Sequence, residues 1–127
     1  MRLWKLSYTS IAVAAGDQAC ADAHSICALA QDYNMLHGIT GILTLHRGRF
    51  AQVLEGPETA VRQLMRRILA DPRHHSIRIA ADTPIVKRRY ADWHMAFRDP
   101  KAFITDQLDD MLEQTAQVVS AMNATWH

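Results

Sequence analysis

A glutamine stands in the middle of a strand-like apolar run in RFAQVLEGPE, residues 49 to 58. Period-two alternation puts Phe50, Gln52 and Leu54 on one face, so an amide shares its face with two residues that demand burial. A buried amide carries a donor and an acceptor on one rotatable group, and both need partners. Other polar groups fall on the helix-covered side of the sheet or at its rim: Tyr8, Asn34 and the cluster Asp71, Arg73, His74. Singly, each has a plain structural role. Tyr8 fits a core tyrosine with its hydroxyl at the edge, Gln52 a side chain bonded to neighbouring backbone, and Asn34 a helix C-terminal residue. Together they describe a polar pocket between two helices and a sheet, suited to a planar ligand with several donors and acceptors.

Other chemistries find little support. The sequence has no Gly-rich phosphate loop, GxSxG elbow, HExxH or CxxC. His74 and His75 are adjacent, a poor geometry for one ion, and no third ligand lies at helical spacing. YTSIAVAAGD lacks the anion-cradling glycine loop and arginine of an acylphosphatase, and the strands lack the exposed aromatics and basic character of an RNA-recognition sheet.

The elements that must hold these groups are legible in outline. LWKLSY alternates with Trp4, Leu6 and Tyr8 on one face, a first strand. A helix follows from about Asp17 to Tyr33. Cys20, Ala23, Cys27 and Ala30 form one small-residue stripe on it, with Ile26 and Leu29 beside them, against which something flat can lie. GITGILTLHRGRFAQVLEGP reads as a hairpin turning at HRGR, where Gly48 supplies a positive φ. Gly56-Pro57-Glu58 ends that strand and starts a second helix running to about Ala70, with Val61, Leu64, Met65, Ile68 and Leu69 as its core stripe. SIRIAADTPIV is a fourth strand interrupted near Pro84. DWHMAF, Asp92 to Phe97, is a fifth, with Trp93, Met95 and Phe97 on one face and His94 and Ala96 on the other. From about Thr105 a helical tail carries Ile104, Leu108, Met111, Leu112, Val118, Val119 and Met122 on one stripe. The order β-α-β-β-α-β-β predicts an α+β, ferredoxin-like split βαβ sheet with two helices on one face and the tail available for the other.

At 127 residues, one domain is expected. Fourteen basic and thirteen acidic side chains leave a net charge of +1 without a Lys/Arg block, which recommends neither nucleic acid nor an anionic membrane. Cys20 and Cys27 lie too far apart along one helix for a disulfide and read as reduced, buried small residues. No signal pattern or membrane-length apolar run is present in the sequence, so a cytoplasmic location is the expectation.

At these residues the sequence resembles the BLUF family, blue-light sensors that use flavin. The matching pieces are LSYTS in the first strand, the asparagine four residues before GITG, GILTLHRGRFAQVLEGP through the hairpin, DPRH after the second helix, and RRYADWHM before the fifth strand. They run collinearly across residues 3 to 97. The family often carries Ser-Arg-x-Asn-Asn at the end of the first helix, where this chain reads Ala30, Gln31, Asp32, Tyr33, Asn34.

The resemblance implies a noncovalent FAD, with FMN as the alternative, its ring between the two helices. Tyr8 and Gln52 match the photoactive pair, and Asn34 matches the partner of the ring's C4=O/N3 edge. Ser10 and Ile11 match a segment lining the ring, and Arg67 and Ile68 match residues beside it. Asp71, Arg73 and His74 match contacts to the pyrimidine side and the ribityl-phosphate chain. Trp93 and Met95 match a pair that shifts in signalling. By the same likeness, an electron and a proton leave Tyr8 through Gln52 on excitation and return with the glutamine rotated or tautomerised. Residues 1–98 are then the photosensor, and residues 99–127 an extension packing on the sheet or on a partner. Nothing in the sequence reads as an output enzyme, so the signal is expected to pass to a partner protein through the last strand and the tail, or through a homo-oligomer. Two rivals stay open: a flavin-dependent redox enzyme, and a cofactor-free interaction module of the same fold.

Overall fold

The computed structural model describes residues 2 to 109. Strand β1, Leu3–Ala12, leads to helix α1, Gly16–His37, and to the hairpin of β2, Thr40–His46, and β3, Arg49–Pro57. Helix α2, Glu58–Leu69, strand β4, His74–Pro84, and the short β5, Ala96–Phe97, follow. A third helix, α3, is described over residues 100 to 109. The sheet order is β4-β1-β3-β2-β5. β1 runs antiparallel to both β3 and β4, and β2 antiparallel to β3, so β1 and β2 are parallel with β3 between them. That interleaving is the ferredoxin-like split βαβ expected from the element order.

Alternation decides what each face carries. Trp4, Leu6, Tyr8 and Ser10 of β1 and Phe50, Gln52 and Leu54 of β3 are buried on one face. There the apolar ones among them meet Ala23 and Cys27 of α1 and Val61 and Met65 of α2. On the other face, Ile42 and Val53 join Tyr90 and Phe103 in a second, smaller core. The hairpin closes through Arg47 (φ 50°) and Gly48 (φ 74°), both left-handed, as a two-residue type I′ connection demands.

Several expectations from the sequence are corrected. α1 continues through His37, because Gly38 at φ 70° closes it and the Gly38 N–H reaches back to the Asn34 carbonyl. Its buried line is Ala19, Ala23, Cys27 and Asn34, so Cys20, one residue off that line, is exposed. Leu69 is exposed at the end of α2. The fifth strand shrinks to two residues paired parallel to β2, Ile42 with Ala96 and Leu43 with Phe97. Without a ladder over residues 92 to 95 the period-two rule does not apply, and Trp93 and Met95 do not share a face. Met95 is buried, whereas Trp93 lies outside against Tyr90, 6.1 Å between ring centroids and near-parallel at 13°.

The tail helix also begins earlier than expected. Asp99 accepts from the Ala102 N–H at 3.0 Å with Pro100 directly after it, an N-cap followed by proline in the first turn. That pair was the readable signal. Phe103, 4% exposed, is the anchor on the sheet, whereas Ile104 and Leu108 of the expected stripe are 65% and 50% exposed. Met111, Leu112, Val118, Val119 and Met122 lie outside the described residues. Phe103→Ala is therefore expected to lower unfolding free energy by about 3 kcal/mol in a denaturant titration. Ile104→Ala should change it by only a few tenths, roughly the surface level; equal losses would remove Phe103 as the anchor.

Candidate functional site

A cavity of about 510 Å3 opens between α1, α2 and the sheet. Its floor is Tyr8, Leu43, Phe50 and Gln52. Ile26, Leu29, Ala30 and Tyr33 of α1 wall one side, and Leu64, Arg67 and Ile68 of α2 the other. The turn from Ala70 to His74 closes one end.

The floor pair follows from strand register. Tyr8 pairs directly with Gln52 across β1 and β3, and Gln52 with Leu43 across β3 and β2. Both polar side chains are almost fully buried. The Tyr8 hydroxyl donates to Gln52 Oε1 at 2.5 Å, and Gln52 Nε2 points at Met95 Sδ, 3.5 Å away. A thioether accepts weakly and donates nothing, so Met95 favours the amide orientation that puts oxygen toward Tyr8. Burial, with the Asp71 carboxylate adding to it, pushes the Tyr8 phenol far above its ordinary pKa, so its proton is held.

Residues 71 to 74 form a fixed rim. Arg73 grips Asp71 by a fork, Nη2 to Oδ2 at 2.6 Å and Nε to Oδ1 at 3.0 Å, and its backbone N–H bonds Oδ1 at 2.9 Å. These bonds hold the Asp71 carboxyl below the usual carboxylate range. His74 Nε2 lies 2.6 Å from the Ile68 carbonyl, which can only accept, so in the neutral ring Nε2 carries the proton. Nδ1 then accepts from the buried Ser10 hydroxyl at 2.7 Å.

Tyr8, Gln52, Arg67, Ile68, Asp71, Arg73 and His74 are thus brought to one cavity. Ser10 stands behind His74 without lining it. Ile11 is placed elsewhere, because it alternates away from Tyr8 and Ser10 along β1. Asn34 sits one helical turn beyond Ala30, fully buried, its Nδ2 on the His94 carbonyl at 2.5 Å. Met95 reaches the floor through Gln52, whereas Trp93 is 36% exposed with the Arg98 guanidinium 5.0 Å from its ring centroid.

Two residues at or near the site escaped the sequence reading. Tyr33 lines the cavity with the Arg67 guanidinium 4.4 Å from its ring centroid, bridging the two helices. Its spacing from Ile26 and Leu29 was the available signal. Glu55, 1% exposed on the opposite face of β3, was flagged only by being a charge inside an apolar strand.

A planar heterocycle fits these residues. The cavity has flat apolar walls and a polar floor, and one helical turn beyond the wall residue Ala30 the buried Asn34 Oδ1 has no partner among the described residues. No group of metal-ligating side chains occurs among the described residues, and no described helix is long and apolar enough to cross a membrane.

Such a fold and floor define a single α+β domain built to hold a planar ligand between two helices and a sheet. The chain belongs to the BLUF family, sensors of blue light using FAD, whose family model matches residues 3–96. It is 32% identical over 116 residues to the photoactivated adenylate cyclase subunit beta of Euglena gracilis, covering 90% of this chain but 14% of that protein. The match thus spans only a small part of that relative's length. Among solved structures, the dark state of BlrB, a BLUF protein, superposes with a TM-score of 0.74 at 33% identity, covering 94% of this chain and 97% of that one. Klebsiella pneumoniae BlrP1 with FMN and cyclic diGMP superposes at 0.71 and 33% identity, covering 87% of this chain and 30% of that one.

Proposed function

We propose that this chain senses blue light through Tyr8 and Gln52 beside a noncovalently held FAD, and passes the change on through the segment that ends at Met95. The observation that carries the proposal is the 2.5 Å bond from the buried Tyr8 hydroxyl to Gln52 Oε1 on the floor of the cavity. Asn34, Arg67, Ile68, Asp71, Arg73 and His74 would hold the flavin, with Ser10 fixing the His74 ring. A bound flavin supplies the blue absorption and, once excited, a strong one-electron oxidant.

This chain's own groups do the rest. Tyr8 can give up an electron and, in the same event, its hydroxyl proton along the bond to Gln52, because a buried phenol with one acceptor has nowhere else to put it. The electron and proton then return to Tyr8, and Gln52 is left with its bonds re-formed in a rotated or tautomeric arrangement that turns a different atom toward Met95. The energy stored is that of a rearranged hydrogen-bond network, about a kcal/mol or a few in a low-dielectric site. A neighbour with two arrangements must enlarge it, and Met95 with Trp93 is the candidate.

Residues 1–98 make up the sensor in this reading and 99–127 the extension that carries the signal to a partner protein or a second copy of the chain. A cytoplasmic setting belongs to the same reading.

The test is the visible spectrum of the purified protein before and after blue light, followed in the dark. Flavin bands that move slightly red and return are expected. Bands that bleach or stay put would replace the sensor by a flavin enzyme, and a colourless protein even after refolding with FAD would leave an interaction module. Mass analysis of the released chromophore decides between FAD and FMN.

A further inference from the structure

We infer that Glu55, on the face of the sheet turned away from the flavin cavity, is a positioning residue for the photoreaction: together with Arg88 it fixes the segment that presents Met95 to Gln52. The inference rests on the sensor reading above.

Between β4 and β5 the chain runs from residue 85 to 95 with little regular structure. Such a segment is costly to order, about 1 to 2 kcal/mol of backbone entropy per residue, yet its last residue must hold a sulfur beside the Gln52 amide. Its start is held from the opposite face. Glu55 Oε2 accepts the Arg89 N–H at 2.7 Å and Oε1 accepts the Tyr90 N–H at 2.8 Å, two successive backbone donors on one carboxylate. The Thr40 hydroxyl donates to Oε1 at 3.3 Å. Arg88 brackets the same place, donating to the Gly38 carbonyl at 2.6 Å, the Thr40 hydroxyl at 3.0 Å and the Glu55 carbonyl at 3.2 Å.

What Glu55 holds is what Trp93 rests on. Tyr90, buried against Ile42, Val53 and Phe103, stacks on the Trp93 ring, and its carbonyl accepts the Trp93 N–H at 3.1 Å. The Trp93 carbonyl in turn accepts from the Gly41 N–H at 2.9 Å. At the far end the Met95 carbonyl takes Gln31 Nε2 at 3.0 Å, and Met95 Sδ faces Gln52. Strand β3 therefore grips both ends of one segment from opposite faces: Glu55 below residues 89 and 90, Gln52 above residue 95. A displacement at Gln52 works against a stop set by Glu55.

Glu55→Gln replaces one acceptor oxygen by an amide NH2 that faces a backbone N–H, so one of the two captured donors is lost. With the segment loosened, the packing of Met95 on Gln52 no longer resists return of the amide. Recovery in the dark is expected to be at least 5-fold faster, on the scale set by losing about one hydrogen bond, while the red shift itself still forms. Independently of the photocycle, amide hydrogen exchange on the dark, flavin-loaded chain should accelerate at Arg89 and Tyr90, and also at Trp93, which does not touch Glu55. Arg88→Met should give the same pattern and decides the matter where Glu55→Gln does not fold. Val61→Ala, a core change under α2, serves as the control for simple loss of stability and should leave recovery unchanged.

Recovery within twofold of wild type in the folded variants, or faster exchange confined to the amides that Glu55 itself binds, overturns the inference. A wild-type protein without any reversible shift overturns the sensor reading, and this inference with it.

Discussion

Replacing Gln52 by leucine leaves a yellow, flavin-loaded protein whose spectrum no longer moves under blue light. Leucine nearly matches the volume and keeps the apolar contacts to Phe50 and Leu54, so the floor of the cavity survives. What disappears is the acceptor that Tyr8 meets at 2.5 Å and the donor aimed at Met95. The Tyr8 hydroxyl is then buried without a partner, at a stability cost of about 1 to 3 kcal/mol, and its proton has no path. Tyr8→Phe breaks the same bond from the other side and removes the group that can release an electron and a proton together. Its flavin should bind and its reversible shift should be absent. Light-minus-dark difference spectra on both variants, with bound flavin quantified first, test this. A preserved shift in Gln52→Leu would mean the amide is not the switch; one in Tyr8→Phe would mean another residue is the donor.

The second large effect needs no light. Gly41→Ala should prevent folding, because a Cβ at that position would lie 1.9 Å from the Val53 carbonyl oxygen, a backbone atom of the neighbouring strand. No rotamer relieves a contact between two backbones, and parting β2 from β3 breaks the ladder that sets Leu43 against Gln52. The expected loss is greater than about 3 kcal/mol, at or beyond the upper end for overpacking, visible as absent native circular dichroism or insoluble protein. Gly48→Ala is the contrast. Its Cβ meets nothing within 4 Å, and only the left-handed φ of 74° penalises it, at about 1 to 2 kcal/mol. A folded Gly41→Ala protein of wild-type stability would mean that β2 and β3 lie farther apart than described.

What the sequence made legible was whatever local chemistry decides. The type I′ turn at Arg47 and Gly48, the proline and glutamate opening α2, and the alternation that puts Gln52 beside Phe50 and Leu54 all act over a few residues. So did the grouping of Tyr8, Gln52 and the Asp71 to His74 turn, because each is a polar group out of place in its own element. What failed depended on contacts distant in sequence. DWHMAF alternates, yet side chains and single backbone bonds hold its first part, so Trp93 turns outward. Ile104 and Leu108 sit at helical spacing, but Phe103 is the residue that faces Ile42 and Val53, and only the sheet fixes that choice. Ile11 lies beside Ser10 in sequence and on the far face of β1. Tyr33 was within reach from its helical spacing to Ile26 and Leu29, but the Arg67 guanidinium over its ring, thirty-four residues on, was not.

The position of β1 between β3 and β4 also governs when the protein can become itself during synthesis. β1 leaves the ribosome before both of its neighbours, which occupy residues 49 to 57 and 74 to 84, so its pairing must wait while helix and hairpin form from local contacts. Tyr8 meets Gln52 across 44 residues of chain, and the rim of the cavity is delivered only with the turn before β4. Flavin capture is accordingly a late event: a nascent chain that has not yet released His74 has both flanking helices and the floor residues but lacks the turn that closes one end of the cavity.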